Sequence, residues 1–329
     1  MRPARLGIGI IGTGKMAHRM AGTISRSVPA RLARVASTSP ERADAFAKHF
    51  SCKSGSLSDL LRDPDVEAIY IANANRDHAN ALSDSFASQK PILCEKPVTP
   101  DLDTSLAMIQ RARESRTLLV EAISTPFLPA AAAMLRSTRS RGSLTLEASF
   151  GYPVRAADRQ MVMAPDAGIV LDRAIYPLTL ARLACGPGVV GDVDLVRDNG
   201  VAIEARIEIR HDNGSRSVLE ASFVRRLSNR LTVGNADGYL TIPAPLLSAR
   251  RLAESTASPA LGEQNPLVRR IYDAMARLSG RAYDFGADPG LPLLAHFTSL
   301  AAAGLTESPV LTYDVMTDVH QWMAAAQRA

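Results

Sequence analysis

A short apolar run that ends in closely spaced glycines constrains this chain more than any other feature. Leu6–Ile11 is too short for a helix and leads directly into Gly12-Thr13-Gly14-Lys15-Met16-Ala17, after which residues 15–27 carry mixed polarity at helical spacing. In a strand–turn–helix of this kind the first glycine permits the tight turn. The second lets the backbone approach a bound group closely, and the small residue in third place keeps helix and strand in contact. The helix N-terminus, with unsatisfied N–H groups and the positive end of the helix dipole, attracts an anion such as a pyrophosphate. Glycine turns occur elsewhere, methyltransferases included, so the strand–turn–helix setting is what directs the reading to dinucleotide binding.

The residues that follow repeat the alternation. Apolar runs at 32–36, 68–72, 92–94 and 118–122 are separated by helix-like stretches at 40–50, 78–89 and 102–114, the first of these opening with Pro40 in its first turn. Short continuous apolar strands between helices indicate a parallel sheet covered on both faces. Beyond Ala122 the period changes to two, as in Val201-Ala-Ile-Glu-Ala-Arg-Ile-Glu-Ile-Arg210, with turn signals at Asp212-Asn213-Gly214 and Asp237-Gly238. Strands are expected at 217–223, 231–233 and 239–242 and helices at 169–184, 266–278 and 313–327, while 243–265, rich in Pro, Ser and Ala, reads as loop. The expected fold class is α/β. A Rossmann domain with a parallel sheet occupies 1–123, and an α+β domain with a mostly antiparallel open sheet for substrate binding and oligomerisation occupies 124–329.

At 329 residues, with roughly 100–200 per domain, two domains each have enough chain for a core. The opening Met1-Arg2-Pro3-Ala4-Arg5 is followed by a run that glycines interrupt, so it reads as a first strand rather than a signal peptide, and no apolar stretch suits a membrane span. Cys52, Cys94 and Cys185 are far apart and form no CxxC pair, which fits a reducing cytoplasm and no metal site. The net charge of +5 comes from scattered arginines without interleaved aromatics, which argues against nucleic acid and suits an anionic cofactor or a phosphorylated substrate.

The end of the second strand selects the cofactor. An NAD site carries an acidic residue there for the ribose 2′-hydroxyl. This chain has Ser37-Thr38-Ser39 and, one turn into the next helix, Arg42, a set that suits a 2′-phosphate. NADP is therefore expected, with NAD as the alternative if Arg42 is only a helix-surface charge.

At Cys94-Glu95-Lys96-Pro97 a strand ends in E-K-P, and with the upstream G-x-G-x-x-A the chain resembles the Gfo/Idh/MocA oxidoreductases. Ile71-Ala72-Asn73-Ala74-Asn75-Arg76-Asp77-His78 is similar to that family's I-A-T-P-N-x-x-H segment, and Glu121-Ala122 to the start of E-A-F-x-x-R-F-x-P. The stretch from Ala167 through Asp172 to Tyr176 resembles G-G-G-x-L-x-D-x-G-x-H/Y. The resemblance implies that Lys96, Asp172 and Tyr176 are catalytic. It also implies that Gly12, Thr13, Gly14, Lys15, Met16, Asn73, Asn75, His78, Glu95 and Lys96 line the cofactor site with Ser37, Thr38 and Arg42.

Elementary chemistry accords with that set. Asp172 and Tyr176 are four apart on an expected helix and share a face. Lys96 precedes a proline, which holds it in extended backbone at a strand end, where open α/β sheets bind ligands. A tyrosine titrates near about 10, and an adjacent ammonium lowers that value, so a Lys–Tyr pair makes a proton relay. The expected reaction is hydride transfer between nicotinamide and a carbonyl or secondary alcohol of a sugar, cyclitol or diol. Two alternatives stay open on this fold: a cofactor-sensing regulatory protein without turnover, and an NAD-dependent glycoside hydrolase.

The sequence departs from the family pattern at Tyr176, where His is commoner and the tyrosine branch resembles dihydrodiol dehydrogenases and sugar ketoreductases. It also departs at Pro126, Leu128, Ala167 and Ala174, which points to a more apolar substrate pocket. The resemblance implies a homodimer or homotetramer formed through the open face of the second sheet. That face bears either Glu204, Arg206, Glu208 and Arg210 or the apolar side of the same strand.

Overall fold

The computed structural model describes residues 5–164, 166–256 and 266–329. They form two compact units: Met1–Ile123 with Gly286–Thr317, and Ser124–Phe285 with Asp318–Ala329. The first opens with β1 (Leu6–Ile11), α1 (Lys15–Arg26), β2 (Ala30–Ala36), α2 (Pro40–Phe50), β3 (Lys53–Gly55) and α3 (Leu57–Arg62). It continues with β4 (Ala68–Ile71), α4 (His78–Phe86), β5 (Ile92–Cys94), α5 (Leu102–Ser115) and β6 (Leu119–Glu121).

Its six strands lie in the order β3-β2-β1-β4-β5-β6 and every pairing is parallel. This is the doubly wound order, with its switch point between β1 and β4. Every residue of β4 and β5 is buried, as expected for strands covered on both faces. Ser39 caps α2 by accepting from Arg42 N, and Asp101 caps α5 by accepting from Thr104 N. The core gathers Ile69, Ile71, Leu82, Phe86, Ile92 and Leu119, each at most 3% exposed. Burial of each such side chain contributes about 1.5–3 kcal/mol. β3 and α3 are the elements the sequence reading missed here: Lys-Ser-Gly has no apolar run, and its strand character comes from pairing with β2.

The second unit contains α6 (Pro129–Thr138), β7 (Thr145–Gly151), α7 (Ala156–Val162), α8 (Ile175–Cys185), β8 (Gly188–Asp198) and β9 (Val201–His211). After these come β10 (Arg216–Ser222), β11 (Leu231–Asn235), β12 (Gly238–Ile242), β13 (Arg251–Ser255), α9 (Pro266–Ser279) and β14 (Arg281–Ala282). The sheet order is β14-β13-β12-β11-β7-β10-β9-β8, antiparallel except for the β7–β10 pair. Along β9, Ala205, Ile207 and Ile209 are buried on the apolar side. The other face carries the charges: Glu208 is gripped by Arg210 at 3.1 Å and Arg216 at 2.5 Å, and Glu204 by Arg225 at 2.6 Å.

Three differences from the sequence reading have clear causes. β8 escaped notice because its pairing with β9 shifts register between Val190 and Val193 and again between Val196 and Arg197, which breaks the period of two. The stretch 243–265 is not all loop: it holds a 3-10 turn, Leu246–Ser248, and β13, which pairs with β12, while 257–265 lies outside the described residues. Finally, 124–329 is not one continuous domain. Gly286–Thr317, with most of it in α10 (Leu291–Ala302) and the start of α11 (Tyr313–Arg328), packs with the first unit. Asp288 there accepts from Thr23 Oγ1 at 2.8 Å, and Tyr313 and Met316 enter the first core. No local pattern announces such a return, because it is made by packing and not by periodicity.

Candidate active site

The glycine loop sits where β1 ends, beside the end of β4. Gly12 has φ +113°, and a Cβ there would meet Ala72 O at 2.6 Å and Asn73 N at 2.9 Å. Conformation and close approach each demand glycine at this point. Gly14 differs: its φ of −78° and ψ of −172° suit any residue, and a Cβ on it would meet nothing within 4 Å. Neither backbone nor packing explains a glycine here, whereas a group approaching from outside the protein does. Ala17 is fully buried, and α1 starts with no acidic residue in its first turn and no side-chain cap. Thr13 is half-buried, with Lys15 and Met16 exposed. The loop therefore offers an open cradle at the positive end of a twelve-residue helix, which fits a dinucleotide pyrophosphate.

At the end of β2, Ser37 Oγ accepts from Ser39 N at 3.2 Å, and Ser39 Oγ accepts from Arg42 N and donates to Glu41 at 2.8 Å. That last bond holds the Glu41 carboxyl below its usual range. Thr38 and Arg42 are exposed, and among the described residues the Arg42 guanidinium forms no ion pair within 4 Å. A cation beside two small hydroxyls, with the nearby carboxylate occupied by Ser39, suits a 2′-phosphate.

After β4, Asn73 Nδ2 donates to Asp77 O at 3.2 Å, and its Oδ1 is buried with no hydrogen-bond partner among the described residues. Asn75 is half-buried. Glu95, just after β5, is 7% exposed and accepts from the hydroxyl of fully buried Tyr70. Burial raises the Glu95 pKa and, with the Glu95 charge, pushes that of Tyr70 well up, so the phenol stays a donor. Lys96 is half-buried, and its peptide bond to Pro97 is cis. His78 corrects an expectation. It is 0% exposed with Nδ1 2.9 Å from Pro97 O, so it faces the E-K-P turn from inside and offers no surface to a cofactor.

The Asp172 and Tyr176 segment belongs to the second unit. Gly168 takes φ +97°, and Asp172 N donates to Gly168 O at 3.0 Å. Val170–Ala174 then forms one turn of π-helix before α8, where the sequence suggested a regular helix from residue 169. Such turns are rare and recur at functional sites. Asp172 and Tyr176 emerge half-exposed from an otherwise buried stretch, and Tyr176 packs edge-on against Phe150 at 5.7 Å.

The residue that the sequence reading overlooked is Arg173. It is 4% exposed, donates to Tyr152 O at 2.6 Å and to Ser222 O, and stands 3.9 Å from the Tyr152 ring centroid and 4.7 Å from that of Phe223. It anchors the π-turn to the ends of β7 and β10 and brings its Nε within 3.9 Å of the Asp172 carboxylate. Burial lowers its pKa. The sign in the sequence was an arginine inside Ile169-Val170-Leu171-Asp172-Arg173-Ala174-Ile175, where a charge needs a partner. Of the departures, Pro126 and Leu128 are both buried, Leu128 completely.

The described residues hold no cluster of three or more His, Cys, Asp or Glu fit for a metal ion, and no helix among them is long and apolar enough to cross a membrane. Residues 6–122 match the family model described as an oxidoreductase family with an NAD-binding Rossmann fold. The chain is 27% identical over 317 residues to trans-1,2-dihydrobenzene-1,2-diol dehydrogenase of Sus scrofa, covering 92% of this chain and 90% of that protein. It is 34% identical over 187 residues to dTDP-3,4-didehydro-2,6-dideoxy-alpha-D-glucose 3-reductase of Streptomyces violaceoruber, 55% of each chain. Its fold is similar to that of a 3-ketoreductase from Actinomadura kijaniata in complex with NADP and TDP-benzene, with TM-score 0.80, 18% identity and coverage of 99% and 98%.

Proposed function

We propose, from the match of residues 6–122 to the Gfo/Idh/MocA family model, that this chain is an oxidoreductase of that family and an NADP(H)-dependent enzyme acting on a sugar, cyclitol or diol. The observation that carries the cofactor reading is Gly14, at the N-terminus of α1, where neither backbone conformation nor packing requires a glycine and the space beside it is open. Gly12, Thr13, Gly14, Lys15 and Met16 hold the pyrophosphate; Ser37, Thr38 and Arg42 hold the 2′-phosphate; Asn73, Asn75 and Glu95 border the rest. When bound, the cofactor supplies the hydride exchanged with a carbonyl or secondary alcohol carbon.

The remaining chemistry is a proton's. In the reducing direction Tyr176 donates its phenolic proton to the developing alkoxide oxygen. Lys96 stabilises the resulting phenolate and hydrogen-bonds a substrate hydroxyl, and Asp172 orients substrate or lysine. The names of the relatives, a dihydrodiol dehydrogenase and a keto-sugar 3-reductase, support a ring carbon bearing oxygen next to a second oxygen-bearing carbon as the reacting position.

Calorimetric titration of the protein with NADPH and, separately, NADH is the first test, followed by absorbance at 340 nm over a panel of aldoses, inositols and vicinal diols. NADPH should bind at least tenfold tighter, and Lys96→Met should abolish turnover while cofactor affinity stays within threefold. A preference for NADH removes the 2′-phosphate assignment, and turnover retained by Lys96→Met removes the proton-transfer scheme.

A further inference from the structure

The turn that carries Lys96 lies beyond the sheet's own hydrogen bonds. The last ladder contacts at this point are Glu95 N to Ile71 O at 2.9 Å and Ala122 N to Cys94 O at 2.7 Å. Past them, the peptide group joining Pro97 to Val98 is gripped at both ends by buried side chains. His78 Nδ1 is 2.9 Å from its carbonyl oxygen, and its N–H donates to Glu121 Oε1 at 2.9 Å. His78 follows β4 and Glu121 ends β6, the two strands that flank β5. Each neighbour of β5 thus sends one side chain, 0% exposed in both cases, across to the loop that follows it.

We infer that His78 and Glu121 are positioning residues that clamp the Pro97–Val98 peptide plane and so aim the Lys96 ammonium. This inference rests on the catalytic role assigned to Lys96 above. Facing a carbonyl, Nδ1 must carry the proton, which leaves Nε2 as a bare acceptor. Nε2 is buried with no hydrogen-bond partner among the described residues, and burial holds the ring neutral by lowering its pKa. A neutral Nδ1–H tautomer is thereby fixed, and the donor cannot be exchanged for solvent. Displacement of a reacting group by about 1 Å lowers turnover by about 100-fold, so a clamp on the one peptide that follows Lys96–Pro97 acts on rate rather than on cofactor affinity.

The test compares side chains that place an amide nitrogen at different ring positions. His78→Asn puts its nitrogen near Nδ1, and His78→Gln puts it near Nε2. Turnover is read with the best substrate of the panel, NADPH affinity by fluorescence titration, and Val98 amide exchange by deuterium uptake in the free protein. The clamp requires that His78→Gln lowers kcat at least 30-fold and speeds Val98 exchange at least tenfold. KM and NADPH affinity should stay within threefold, and His78→Asn should restore both rates. Equal behaviour of the two variants, or weakened NADPH binding with unchanged kcat, overturns it. Should His78→Gln not fold, Glu121→Gln carries the test: its neutral acceptor should speed Val98 exchange and lower kcat severalfold, and no change in either refutes the clamp. If Lys96→Met retains turnover, the catalytic reading fails while Val98 exchange still reports on the clamp. If Lys96→Met is dead and His78→Gln is normal, the clamp alone fails.

Discussion

Gly14→Ala separates ligand binding from folding, because neither backbone conformation nor packing requires a glycine there. The backbone at φ −78° and ψ −172° accepts alanine, and the new Cβ meets nothing within 4 Å. Alanine is the poorer N-cap by up to about 1 kcal/mol. It also lowers the entropy of the unfolded chain, which stabilises by about 0.4–1 kcal/mol. These offset, so the melting temperature of the cofactor-free protein should move by no more than about 2 °C. A methyl group inserted where a pyrophosphate packs costs about 1–3 kcal/mol, which is about 5- to 150-fold in Kd. Gly12→Ala is the contrasting case. Its φ of +113° and a Cβ 2.6 Å from Ala72 O put strain into the fold itself, about 1–3 kcal/mol from the backbone and a similar amount from overpacking. Thermal unfolding by circular dichroism and NADPH titration by fluorescence measure both effects. Gly14→Ala that binds NADPH within twofold of the parent, with an unchanged melting temperature, would refute the cradle reading.

Two further outcomes follow from buried charge. Arg173→Met strips the donors from Tyr152 O and Ser222 O, so urea unfolding should show a loss of about 2–4 kcal/mol after partial relief of the arginine's own burial; an unchanged midpoint would show that Arg173 does not anchor the π-turn. Burial lowers the pKa values of His78, His211 and His296 from 6.5. The unfolded chain therefore takes up protons first as pH falls. Stability from these groups is whole above about pH 6.5 and declines below it, as urea midpoints at pH 7.5 and 5.5 should show. Glu95, whose pKa is raised above 4.5, acts in the opposite sense. Glu208, lowered from 4.5 to about 2, loses its contribution only at still lower pH. Equal midpoints at the two pH values would contradict the histidine assignment.

Much of the first unit was legible because most of its strands are short and largely apolar and alternate with helices; the stretch from Pro40 to Phe50 could be read to the residue. The antiparallel hairpin at Asp212-Asn213-Gly214 was legible for a similar reason, with Gly214 at φ +80°. What escaped was decided by partners distant in sequence. β8 is a strand because β9 pairs with it through two register shifts, and Lys53–Gly55 is a strand because β2 does. In the site, the motif assigns Gly12 to the turn and Gly14 to the approach of a bound group, and the structure adds that a Cβ on Gly12 would meet Ala72 O at 2.6 Å whereas one on Gly14 would meet nothing within 4 Å. His78 looked like a cofactor contact because its position in a motif says nothing of depth. Arg173 was missed because its cage, the Tyr152 ring and carbonyl with Ser222 O and the Phe223 ring, is assembled from two segments distant from it in sequence.

The return of Gly286–Thr317 to the first unit bears on how the chain can be made and divided. Tyr313 OH accepts from Leu119 N and lies within hydrogen-bond distance of the Thr117 and Thr306 carbonyls, so β6 is finished by a residue almost two hundred positions downstream. During synthesis the nucleotide-binding unit waits, with part of its core uncovered, until the segment through Thr317 has left the ribosome. A fragment cut at the apparent boundary after Ile123 would be a different object from the unit seen here. Genetic dissection of this protein therefore calls for grafting the returning segment back onto the N-terminal piece rather than for simple truncation.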